Sequence, residues 1–153
     1  MRQLALLLVV FLSGCTTLGM KSPDYSYVIA GVDWPLTDLQ SLVAYELPTG
    51  MRTTSANGRE MYSKYFVLDG NKYKAAGEAL NRYFAGVTVL GDHRPYDIEI
   101  YVTREKRIRQ GAGYTYVEAG HDMMLARELE HKLKVELAKR RDGHNVVDDF
   151  RVF

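Results

Sequence analysis

The hydrophobic pattern of this chain changes period several times, and each change marks an element. The run YSYVIAGV (25–32) is β-prone and reads as a first strand. Leu36, Leu39, Leu42 and Val43 then recur at helical spacing until Pro48 and Gly50 stop the pattern, which predicts one short helix. In MRTTSANGREMYSKYFVL, Asn57-Gly58 can both take positive φ and close a tight hairpin between two β-prone runs. Met61, Ser63, Tyr65 and Val67 would share one face of the second strand, with Tyr62, Lys64 and Phe66 on the other. Asp69 is placed to cap a helix over 71–84, with Tyr73, Ala76, Leu80 and Phe84 as its apolar stripe and Gly86 ending it.

The second half of the chain reads more plainly. VTVL and the turn-rich GDHRP lead into YDIEIYVTREKRIRQ, where Ile98, Ile100 and Val102 alternate with Asp97, Glu99, Tyr101 and Thr103. That alternation predicts a long antiparallel strand with one wet face. After G-A-G, YTYV reads as a further strand. Leu125, Leu129, Leu133 and Leu137 follow at i+4 spacing, flanked by Glu128/Lys132, Glu130/Lys134 and Glu136/Arg140 pairs, and predict a helix that Gly143 stops. NVVDDFRVF would return as a last strand. The expected fold is α+β, a mostly antiparallel sheet with two to three helices packed on one face.

The N-terminus carries a different signal. MRQLALLLVVFLSGC has one positive charge, Arg2, then nine apolar residues from Leu4 to Leu12, then small residues and the single cysteine of the chain. A bilayer span needs about 20 apolar residues, so this run suits an export signal. Leu12, Ser13, Gly14 and Cys15 resemble, position by position, the lipobox of bacterial lipoprotein precursors. The resemblance implies that residues 1–14 are a removed signal peptide and that Cys15 is lipidated. Residues 15–24 would be a short tether and 25–153 a single periplasmic α+β domain. Thr16, where inner-membrane retention usually has Asp, makes the expected location the periplasmic side of the outer membrane. Several acyl chains on one residue anchor firmly, each buried methylene contributing roughly 0.8 kcal/mol.

Loss of Arg2 with the signal brings the 20 basic residues to 19, against 19 acidic ones. A net charge of zero offers nothing to attract nucleic acid. With Cys15 lipidated, the domain has no thiol for an internal disulfide.

Candidate chemistry is sparse. His121, Glu128 and His131 suggest zinc, but the histidines are ten residues apart, about 80° out of alignment and some 15 Å apart on a continuous helix. A solvated histidine fits better, and no metal or other cofactor is expected. Asp148-Asp149 would point to opposite faces of a strand, and Glu128/Glu130 lie among lysines. There is no G-x-S-x-G elbow, and G-A-G lacks the setting of a dinucleotide loop. No enzyme is expected.

Two features remain. Arg104, Lys106, Arg107 and Arg109 concentrate positive charge beside Tyr114 and Tyr116, which suits phosphate, carboxylate or a protein surface. The same cations also suit a solvated sheet edge defended by charge. The chain also has 11 tyrosines, which would matter for binding if several were exposed together. The expected role is a non-enzymatic assembly, scaffold or accessory subunit of an envelope complex, with an envelope protein as partner. The alternative is a binding module for lipopolysaccharide or peptidoglycan.

Overall fold

A computed structural model describes residues 24–144, with side chains from 24 to 139. The predicted signal peptide, Cys15, Asp148-Asp149 and the predicted last strand lie outside the described residues. Ten elements follow in order: β1 (Tyr27–Val32), α1 (Leu36–Glu46), β2 (Met51–Thr54), β3 (Glu60–Ser63), β4 (Phe66–Asp69), β5 (Lys72–Ala75), β6 (Asn81–Leu90), β7 (Tyr96–Gln110), β8 (Gly113–His121) and α2 (Met123–His144). The fold is α+β, as the pattern predicts.

The sheet is antiparallel and built around β6 and β7, which pair without interruption from Asn81↔Lys106 to Leu90↔Asp97. The free side of β7 takes two strands end to end, β1 along 96–100 and β8 along 103–110. On the other side, β6 takes β3, which pairs with β2, and touches β4, which pairs with β5.

Both helices lie on one face. Alternation sends Ala85, Val87 and Val89 of β6 and Ile98, Ile100 and Val102 of β7 to that side. There they meet Leu39, Leu42 and Val43 of α1 and Leu125, Leu129, Leu133 and Leu137 of α2 in one core. Asp122 caps α2, its carboxylate accepting the N–H groups of Met124 and Leu125. Glu128–Lys132 forms on its outer side as expected, and Glu130–Lys134 forms with the Glu130 side chain only 13% exposed. The helix runs through Gly143 to His144 rather than stopping at the glycine. A glycine weakens a helix interior by only about 1 kcal/mol.

Three expectations are corrected. The predicted helix over 71–84 is β5 and the start of β6. Gly70, at φ 60°, and Asn71 form a two-residue loop that folds β5 back on β4, and glycine at the first loop position is the type II′ hairpin arrangement. Gly86 therefore lies inside a strand and ends nothing.

Next, the strand expected across 61–67 is two strands with a break at Lys64-Tyr65, so the faces change phase. Phe66 joins Met61 and Ser63 on the buried side, and Tyr65 goes to the other. Ser63 bridges the break, its hydroxyl accepting the Ala85 N–H and donating to the Lys64 carbonyl, each at 2.8 Å. Finally, the β2–β3 hairpin forms, but only Gly58 of the Asn57-Gly58 pair has positive φ. Asn57 instead uses its side-chain oxygen to accept the Arg59 N–H, holding a longer loop than the tight turn expected.

Candidate functional site

The face of the sheet away from the helices is covered by no element among the described residues. Alternation places Arg82, Phe84, Gly86 and Thr88 of β6 there, opposite Glu105, Thr103, Tyr101 and Glu99 of β7. Tyr62 of β3 stands opposite Gly86. The face of β7 expected to be wet is mostly polar, and an aromatic row crosses it at Tyr101. Tyr25 stacks on His121 at 4.0 Å and meets Tyr101 edge-on at 6.3 Å. On the far side of Tyr101 come Tyr62, Phe84 and Tyr65, with Phe84 6.3 Å from Tyr62 and 5.9 Å from Tyr65.

Gly86 makes the middle of this row possible. A Cβ there would lie 2.3 Å from Cζ of Tyr101, so the ring crosses the strand where a side chain would stand. Burial, reinforced by the Tyr62 hydroxyl, pushes the Tyr101 phenol well above the usual tyrosine range. It is a neutral hydroxyl at any physiological pH.

Arginines cover the other end of the row. The Arg82 guanidinium lies between the rings of Tyr65 and Tyr116, 3.5 Å from each centroid. Its Nε donates to a Glu105 oxygen and its Nη2 forms an ion pair with the same oxygen, both at 2.7 Å, and both side chains are only 17% exposed. Arg52 lies 4.2 Å over Tyr65 and 5.6 Å over Phe84. Tyr116 donates to the Ala79 carbonyl at 2.8 Å, which ties the 76–80 loop to this side.

The predicted cation cluster divides by strand alternation. Arg107 and Arg109 pair with Tyr116 and Tyr114 on the uncovered face, while Arg104 and Lys106 point to the helix side. Arg107 lies 4.1 Å over the Tyr114 ring and is 3.4 Å from Glu78. Arg104 donates to the Ala119 carbonyl. The six residues expected to act together are thus two groups, and half of the cations are already engaged within the chain.

The histidines do not converge. His121 ends β8, half-buried under Tyr25 with Nδ1 3.3 Å from the Thr103 hydroxyl, so it is not the solvated residue expected. His131 is on the exposed side of α2. No group of three metal-ligating side chains is found among the described residues. Glu128 is held below the usual carboxylate range chiefly by Lys132. Burial, with help from Glu128, pushes the neighbouring Tyr73 phenol up. A cavity of about 550 Å³ lies on the helix side, lined by Trp34, Pro35, Asp38, Arg94, Lys134 and Leu137. None of its side chains forms a recognisable catalytic set.

Comparison of the chain with protein-family models, curated proteins and solved structures finds no match. The uncovered face therefore rests on its own geometry. Sequence reasoning missed Arg82, Phe84 and the Gly86/Tyr101 pair because it assigned 71–84 to a helix, and it did not single out Arg52 on β2. Reading Gly70-Asn71 as a hairpin loop would have put Arg82, Phe84 and Gly86 on one side of a strand.

Proposed function

We propose that this protein is an outer-membrane-anchored periplasmic lipoprotein, a non-enzymatic assembly, scaffold or accessory subunit of an envelope complex. The uncovered sheet face is its contact surface. The observation that carries the reading is the row of tyrosines, Phe84 and arginines on a face that no element of the described chain covers. Tyrosine and arginine are the residue types that concentrate at protein interfaces. The lipobox resemblance at Leu12–Cys15 supports the anchor. Among the described residues no helix is long and apolar enough to cross a membrane, so attachment would come from the lipid. An envelope protein is favoured over lipopolysaccharide or peptidoglycan because, of the arginines on this face, Arg82 is held by Glu105 and Arg107 donates to the Glu78 carbonyl. A phosphate clamp needs those donors free.

The test is photo-crosslinking in intact cells with a benzophenone amino acid at Tyr62, with Arg52→Glu as the control variant. A single envelope protein captured in near-stoichiometric yield, and lost with Arg52→Glu, is the expected result. Capture of only lipopolysaccharide or peptidoglycan fragments would replace the scaffold reading with the glycan module. Separately, failure of the chain to incorporate labelled palmitate would overturn the anchor.

A further inference from the structure

The β7–β8 hairpin outruns the sheet that carries it. β6 pairs with β7 only as far as Lys106, and Arg107 donates its N–H to the Leu80 carbonyl just beyond the strand. Past that point, Ile108–Gln110 and Gly113–Thr115 form a two-stranded ribbon around the Gly111-Ala112 loop. No strand among the described residues pairs with the outer edge of β8. Two-stranded ribbons are marginal in water, and an open edge is a template for another strand.

The direction of that edge follows from one hydrogen bond. Because the Arg107 N–H points to Leu80, away from β8, the Arg107↔Tyr116 pair is not hydrogen-bonded. The N–H and C=O of Tyr116 therefore point outward, and so do those of Tyr114 and Glu118, two residues to either side. This outward segment contains neither lysine nor proline, the residues that usually defend an edge.

We infer that β8 pairs with β8 of a second copy of this chain, antiparallel, about a twofold axis at Tyr116. The segment is self-complementary in that register. Tyr116 faces its own counterpart and Tyr114 faces Glu118 of the other copy, so every outward backbone group from 114 to 118 gains a partner. The lateral row then runs Arg109, Tyr114, and Glu118 and Glu105 of the second copy. Arg109, which makes no ion pair among the described residues, then lies across Tyr114 from the exposed Glu118 of the second copy, a carboxylate that otherwise has only His121 beside it, at 3.4 Å. On the helix side, Ile108 and Val117 are 37% and 40% exposed. The same axis places Val117 against Thr115 of the second copy, which covers the open flank of Val117. This pairing does not depend on the anchor or on what the aromatic face binds.

The experiment uses the full-length chain in two differently tagged forms, co-expressed and purified in detergent, with the benzophenone amino acid at Tyr114. Illumination is expected to give a product containing both tags, with the crosslink mapped by mass spectrometry to 113–121 of the other copy. Arg109→Glu turns an attraction into a repulsion twice across the axis, each over about two strand spacings, and is expected to reduce the product roughly threefold at low salt. The charge swap Arg109→Glu with Glu118→Arg is expected to restore it. Adducts scattered over the surface, as from shared micelles, or no two-tag product would overturn the inference. So would a yield unchanged by Arg109→Glu, or one that the charge swap fails to restore.

Discussion

Removing Arg82 should show how the aromatic face is held. Its guanidinium joins β6 to β7 through Glu105 and to β8 and the β3–β4 break through the rings of Tyr116 and Tyr65. In Arg82→Ala, the Glu105 carboxylate loses its cation in a site with 17% exposure. Breaking a fully buried pair costs about 3–5 kcal/mol, and the residual solvent contact lowers this to about 2 kcal/mol. Two desolvated cation–π faces add roughly 0.5–1 kcal/mol each. The expected loss is about 3 kcal/mol, or a melting temperature lower by roughly 10 °C for a domain of this size. Urea unfolding followed by fluorescence of Trp34, the single tryptophan, measures it. Arg82→Lys keeps the charge but not the planar stack, and should lose about 1 kcal/mol. In the cycle with Glu105→Ala, the double variant should cost about 1.5 kcal/mol less than the sum of the singles. A loss below about 0.5 kcal/mol for Arg82→Ala, or strict additivity, would refute the claim that this cluster holds the face together.

Three further changes probe neighbouring features. Gly86→Ala drives a methyl into the Tyr101 ring and should cost about 1–3 kcal/mol by thermal melting, with Tyr101→Ala in the same chain recovering part of the loss. Ser63→Ala leaves the buried Ala85 N–H without its acceptor and should cost about 1–3 kcal/mol in urea, whereas Ser55→Ala in the exposed hairpin loop should cost less than half as much. The depressed Glu128 carboxyl gives stability that is present above the unfolded carboxylate pKa and lost as pH falls through the lower folded value. Both partners are well exposed, so Glu128→Gln should differ from the parent by only about 0.3 kcal/mol at pH 7, with the gap closing as the folded carboxyl takes up its proton in acid.

What could be read from the sequence depended on the length of each periodic run. The four leucines of α2 and the alternation of β7 persist long enough that no other period fits, and both elements appear at the expected places. Residues 71–84 offered only a short run, and its helical spacing was accidental. Leu80 is 62% exposed, and Phe84 faces the opposite side of the sheet from Ala85 and the core. The local chemistry of Gly70-Asn71 was decisive there, because a two-residue loop with positive φ at its first position fixes a hairpin whatever follows. The cation cluster failed for a related reason. Adjacency in sequence brought Arg104, Lys106, Arg107 and Arg109 together on paper, and a strand's period of two separates them in space.

Among the described residues the uncovered face answers a shortage of covering elements. Two helices can cover one side of this sheet, and the other side must be polar, protected or paired. Here it is protected from within. The Arg52 and Arg82 guanidinium groups lie over Tyr65, Phe84 and Tyr116, and Tyr101 lies across Gly86, so these rings are half-buried. Arg82, stacked on two rings and bonded to a carboxylate, has few donors left for a phosphate polymer. What remains open to a partner is aromatic surface, already fixed in place. Fixed rings bind with little further loss of side-chain freedom, which is the condition under which a modest area gives useful affinity. That economy favours a protein surface over a charged glycan as the occupant of this face.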